Sequence, residues 1–193
     1  MSKTILAWHF LANDKRLRYG DGRLVKAGKT YDTTGPLVMC HNGVHGCRKI
    51  LDALNYAPGP IVCRVELSGE MFTEPPDNRD KVCARSRRVL WMVDATMLLH
   101  EFACRCAEDA LALTDTPDPR SVEAIRVKRL WMAGKATDAE LDAAWDAAWD
   151  TARDAARDAA WDAAWAAAWD AARAAAWDAQ NARLEKMLLE LVP

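Results

Sequence analysis

The chain has 193 residues, is 51% hydrophobic and 28% charged, and carries a formal net charge of −2. That length allows one domain, or one domain with an appendage. No run of 18 apolar residues occurs, which argues against a membrane-spanning helix, and the N-terminal segment Met1–His9 lacks the long apolar stretch of a signal peptide. A cytoplasmic location is therefore expected, with the six cysteines (40, 47, 63, 83, 104 and 106) reduced.

The first half reads as strands and turns. Thr4–Leu11 is apolar and ends at Asn13-Asp14. Leu17–Tyr19 and Arg23–Val25 flank Gly20-Asp21-Gly22, a hairpin signal. Gly35-Pro36 precedes a short apolar run, Leu37–Cys40. The segment Cys40–Cys47 predicts a tight turn, with Gly43 and Gly46 supplying positive φ. Cys47–Asn55 has helical spacing, with Ile50, Leu51 and Leu54 on one side. Ile61–Leu67 alternates, so Ile61, Cys63, Val65 and Leu67 face one way and Val62, Arg64 and Glu66 the other. Val82–Val93 predicts one long strand or two short ones.

Helices follow. Asp94 caps a predicted helix over about 95–113, and Thr114–Pro119 breaks it. A second runs over about 120–133 and stops at Gly134. Thr137-Asp138-Ala139-Glu140 has the capping-box pattern. From there no Pro or Gly occurs before Pro193, which predicts a helix roughly 80 Å long at about 1.5 Å per residue. A helix of that length projects from so small a domain, unless it folds back at a break that the sequence does not mark.

That last helix has a four-residue beat: Trp145, Trp149, Arg153, Arg157, Trp161, Trp165, Trp169, Arg173 and Trp177. Each step of four rotates the stripe by about 40°, so Trp145 and Trp149 face away from Trp161, Trp165 and Trp169. A heptad coiled coil is excluded, because its seam has a period of 3.5. Six tryptophans among Ala and Asp demand a partner. The expected one is a second copy of the chain, with Trp145, Trp149, Trp161, Trp165, Trp169 and Trp177 at a homo-oligomer interface. A second use of the same stripe is a stacking-plus-charge site for a nucleotide, built from Trp161, Trp165, Trp169 and Arg173. The accompanying Asp row argues against long nucleic acid, which favours a basic track, and against a membrane surface.

Charge is divided unevenly. Residues 138–193 hold 12 acidic and 5 basic side chains, a net of −7, and residues 1–137 hold 16 and 21, a net of +5. The basic half is suited to an anionic ligand. Arg85, Arg87 and Arg88, with Arg64, Lys81, Lys49 and His45, are its candidate binding residues. The segment Cys40-His41-Asn42-Gly43-Val44-His45-Gly46-Cys47 gathers four soft ligands in eight residues, but its spacings fit no standard zinc knuckle. A Cys–His nucleophile pair is the enzymatic alternative there, with no third orienting group in sight. No phosphate-binding glycine loop, Ser/His/Asp pattern or catalytic carboxylate pair occurs, and no cofactor is implied.

Gly43-Val44-His45-Gly46-Cys47, then Asp52-Ala53-Leu54-Asn55-Tyr56-Ala57-Pro58-Gly59, then Val65-Glu66-Leu67-Ser68-Gly69 together resemble an uncharacterised family of phage and prophage proteins. Its members have a glycine–aliphatic–histidine–alanine–small turn, a short helix and a valine–x–leucine–x–glycine strand; Gly46 stands here where alanine is usual. The resemblance covers about residues 5–110 and implies a small α+β domain of phage-type origin with a helical extension, and no established activity. The layout also resembles ADP-ribosyltransferase-type domains loosely, without their catalytic glutamate or NAD-binding pattern. The expectation is an α+β domain over 1–113, a connecting region over 114–136 and a helical oligomerisation region over 137–193. Its function is expected to be non-catalytic: sequestration of a small anion, such as a nucleotide signal of host defence. The alternatives are a purely structural or partner-binding oligomer, and a Cys/His or metal-dependent enzyme.

Overall fold

The computed structural model describes residues 4–18, 20–74, 78–159 and 166–192, with side chains described outside 74–80 and 149–174. The chain forms two compact units, residues 1–96 with 179–193, and residues 97–178.

The first unit holds β1 (Ile5–Leu11), β2 (Thr30–Asp32), β3 (Val44–Cys47), α1 (Ile50–Leu54), β4 (Ile61–Glu74) and β5 (Asn78–Asp94). All five strand pairings are antiparallel. The strand order is β2-β5-β3-β1-β4, and β4 pairs again with β5, so β1, β3, β4 and β5 form a closed ring. The β4–β5 ladder slips between Arg64/Val65, Ser68/Met71 and Phe72/Glu74. Such bulges bend a strand and increase its twist, which suits β5 to reaching both β4 and β3.

Alternation fills the ring. Ile61, Cys63, Val65 and Leu67 of β4 join Ala7 and Leu11 of β1, Val44 of β3, and Val82, Ala84 and Val89 of β5 in one buried cluster. Trp8 and Phe10 point the other way along β1 and are buried as well. α1 packs on β1 and β3. It has no side-chain cap from Lys49; instead Asn181 Oδ1 accepts from the Leu51 N–H at 3.0 Å. Asn181, Leu184 and Leu188 are buried, and they lie on the last turns of α5 (Ala166–Leu191) that belong to this unit. Burying each leucine contributes about 1.5–3 kcal/mol.

The second unit contains α2 (Thr96–Leu111) from Met97 onward, α3 (Pro119–Met132) and α4 (Asp138–Ala159). The expected caps at Asp94 and Thr137 and the stop at Gly134 are present, and Asp118 adds another. Asp94 Oδ1 accepts from the Thr96 N–H at 2.9 Å. Asp118 accepts from the Arg120 N–H at 2.8 Å to start α3, and Gly134 ends it with φ 68°. Thr137 Oγ1 accepts from the Glu140 N–H at 3.2 Å, while the Thr137 N–H donates to Glu140 Oε2 at 2.8 Å. α3 and α4 pack on each other.

The architecture is α+β, with an antiparallel sheet and a C-terminal helix. The structure places the tight turn differently from the sequence reading. Val44–Cys47 is a strand, and the turn precedes it: Val38 bridges Asn42, Cys40 has a φ of 62°, and Gly43 has the expected positive φ, 151°. Gly46 is required for space rather than for φ, since a Cβ there would lie 2.9 Å from Ala7 Cβ and 3.3 Å from the Trp8 carbonyl oxygen. Continuity of the long helix falls on residues 160–165, outside the described residues. The boundaries expected at 113 and 136 do not coincide with the edges of the two units. Among the described residues no helix is long and apolar enough to cross a membrane.

Candidate functional site

The first unit contains a cavity of about 490 Å³. Its polar floor comes from three strands: His9 of β1, His45 of β3, and Lys81 and Arg87 of β5. Register brings them together. Cys47 pairs with Lys81 and His45 with Cys83 across β3–β5, and Trp8 pairs with Cys47 across β1–β3.

Arg87 is only 2% exposed. Its Nη1 donates to the His45 carbonyl oxygen at 2.8 Å, and its buried Nε has no hydrogen-bond partner among the described residues. An unsatisfied buried donor costs about 1–3 kcal/mol, and more when charged. Burial lowers the Arg87 pKa to about 10, which leaves it cationic at neutral pH. Lys81 Nζ lies 3.4 Å from the centroid of the Tyr56 ring and 3.6 Å from Cys40 Sγ. Among the described residues neither cation is ion-paired to a carboxylate.

The two imidazoles are held neutral. Burial lowers the His45 pKa to about 4, and the positive charges of Lys81 and Arg87 add to the effect. Burial likewise holds His9 well below the ordinary value, with Arg87, His45 and Lys81 contributing. His45 Nε2 accepts from the Cys40 N–H at 3.2 Å, which puts the ring proton on Nδ1.

The rim is built by loops. Arg16, Arg18 and Arg23 line it from the 16–24 hairpin, whose bridge is Arg16–Leu24 and whose Gly20 and Gly22 have positive φ. Arg18 pairs with Asp14 at 3.2 Å and Arg23 with Asp21 at 2.6 Å. Asn42 ties down the neighbouring loop, accepting from Thr33 Oγ1 at 2.6 Å and donating to the Thr34 and Pro36 carbonyls. Tyr56 and Pro58, beyond α1, close the remaining side.

Of the anion-binding residues expected from sequence, Arg87, His45 and Lys81 line this cavity and the others do not. Arg64 sits on the outward face of β4, in register with Trp8 on one side and Trp91 on the other. Its guanidinium therefore lies over the Trp8 ring at 4.3 Å, with Glu185 at 3.9 Å. Arg85 is drawn to the Thr33 and Gly35 carbonyls and to Glu70. Arg88 follows Arg87 on the strand, so it points to the opposite face and is exposed. Sequence reasoning missed Tyr56, Arg16, Arg18 and Arg23, whose only signal was their place beside turns.

The tryptophan stripe is only partly described. Trp145 in α4 is 57% exposed, and Trp177 in α5 is partly buried. Trp161 and Trp165 lie outside the described residues, as do the side chains of Trp149, Trp169 and Arg173. The six cysteines form no disulfide with one another, and among the described residues no group of three His, Cys, Asp or Glu side chains is arranged to hold a metal ion.

A family model described as a domain of unknown function, DUF7666, matches residues 5–101, half of the chain. The chain belongs to the DUF7666 family. The DUF7666 match runs from β1 to the first turns of α2, so it contains His9, His45, Tyr56, Lys81 and Arg87. No curated protein matches the chain, and no solved structure does.

Proposed function

We propose that this DUF7666 protein binds a small phosphate-bearing anion in the cavity of its first unit and sequesters it without turning it over. The observation that carries this reading is Arg87. A guanidinium is buried there with an unpaired Nε, in the wall of a cavity that also receives Lys81. A bound phosphate would give both cations a charged partner, which neither has at ion-pair distance among the described residues. Two neutral imidazoles beside them are hydrogen-bond donors for the same group. Engagement of His45 Nε2 by the Cys40 N–H leaves that lone pair unable to deprotonate the thiol, which weighs against the Cys–His enzyme.

The setting we propose is a phage-type accessory protein that lowers the free concentration of a nucleotide signal in the host cell. An assembly of several copies through the striped helix is part of the same reading; the exposed Trp145 supports it. The same exposure favours a second reading, a structural oligomer that holds no small ligand.

Thermal unfolding of the full chain against a panel of phosphate, pyrophosphate and nucleotides tests the first reading. A ligand at 100 times its Kd adds about 2.7 kcal/mol, and Lys81→Ala should abolish that gain. An unchanged melting temperature across the whole panel would overturn sequestration and leave the structural role. Native mass spectrometry of the purified protein then reads both the number of copies and any retained ligand.

A further inference from the structure

We propose that Tyr56 stacks on a planar ring of the ligand, so that the cavity selects a nucleoside phosphate over other phosphates; this rests on the anion reading above. The Tyr56 ring walls the cavity and is 43% exposed. Its face, not its edge, meets Lys81, whose Nζ stands 3.4 Å from the ring centroid. That same ammonium raises the local positive potential felt by His9 and His45, as Arg87 does. The phosphate-attracting floor and the aromatic wall are thus one lysine side chain apart. A phosphate drawn to Lys81 and Arg87 brings whatever carries it against Tyr56.

Lys81 sits over the ring face. A charge-assisted bond to phosphate is stronger than a cation–π contact at a half-exposed ring, so binding moves the ammonium from the ring to the anion. The uncovered face then accepts a base, and aromatic stacking tolerates any base because each has a π-face. The volume of about 490 Å³ also fits a small organic ligand rather than a single oxyanion.

Calorimetry on the full chain, with ribose 5-phosphate and the nucleoside 5′-monophosphates as probes, separates the two claims. The nucleotides should bind at least about five-fold tighter than ribose 5-phosphate. Tyr56→Leu should erase that gap, read as the ratio of the two affinities within the variant, whereas Tyr56→Phe should keep it. Equal affinities in the wild-type protein, or a gap that survives in Tyr56→Leu, would overturn the stacking role while the anion site stands. If neither probe binds, the anion reading falls and this inference with it.

Discussion

The two units differ in how some of their cations are matched. In the helical unit the charges are matched close at hand. Arg105 meets Glu101 at 2.8 Å, Arg126 meets Glu123 at 2.6 Å, and Arg129 meets both Glu101 and Glu108. In the sheet unit Lys81 rests on an aromatic ring, and Arg87 is buried against a carbonyl with one nitrogen unpaired. The difference follows from backbone geometry. A helix sets residues three and four apart side by side, so local sequence neutralises the charges of Arg105 and Arg126, while Arg129 of α3 reaches Glu101 and Glu108 of α2. Strand pairing instead gathers residues distant in sequence: it brings Arg85 to Glu70, but it brings Lys81 and Arg87 together with no carboxylate bonded to either among the described residues. An unneutralised charge held by a fold is a candidate for binding; a paired one is a candidate for structure.

The largest effect expected is on what holds the sheet unit together. Leu184→Ala should cost about 2–5 kcal/mol in urea unfolding, since it empties a fully buried position. A cost below 1 kcal/mol would mean that the end of α5 merely rests on the sheet.

Next comes a direct contrast between two arginines. Arg87→Met should reduce phosphate affinity at least about ten-fold and change stability by less than about 1 kcal/mol, because it removes a poorly satisfied buried charge. Arg129→Met should leave phosphate binding alone and cost about 0.2–1 kcal/mol through its exposed ion pairs. If Arg87→Met unfolds the protein, then Lys81→Met, at a partly exposed site, carries the affinity test. The contrast collapses if both arginine variants bind phosphate like the wild type.

A third effect is confined to acid. Burial pushes the His45 imidazole down to about 4, below its ordinary value of 6.5. The unfolded chain therefore takes up the proton first, and stability falls as pH drops from about 6.5 to about 4. The loss from His45 is at most about 3 kcal/mol, at about 1.36 kcal/mol per unit. His9 adds to it in the same direction. A bound anion favours the imidazolium, so phosphate affinity should rise over the same window. Calorimetry at pH 7.5 and 5.5 checks this; equal affinities would place the histidines away from the bound group.

The smallest effect belongs to the helical unit. Thr137→Ala removes the capping box of α4 and should cost about 1 kcal/mol by circular-dichroism melting, with no change in ligand binding.

How legible the molecule was in its sequence varied with the range of the interactions. The strands over Ile61–Leu67 and Val82–Val93 are where alternation puts them, though both run longer as β4 and β5. The cap at Asp94, the stop at Gly134 and the Thr137–Glu140 box are present as read. The basic half was evident, but which bases converge was not. Arg87 and Arg88 are adjacent in sequence and lie on opposite faces of one strand. Arg64 was grouped with them by charge, and two cross-strand tryptophans hold it elsewhere.

Sequence by itself determined the helix ends, the buried face of β4 and the division of charge, because these depend on period and on neighbours a few residues away. Tertiary structure alone decided the closed ring, the capping of α1 by Asn181 from 130 residues away, and the meeting of His9, His45, Lys81 and Arg87. Those features depend on register between strands and on docking between distant segments, and side-chain chemistry along one chain does not specify which partners will meet.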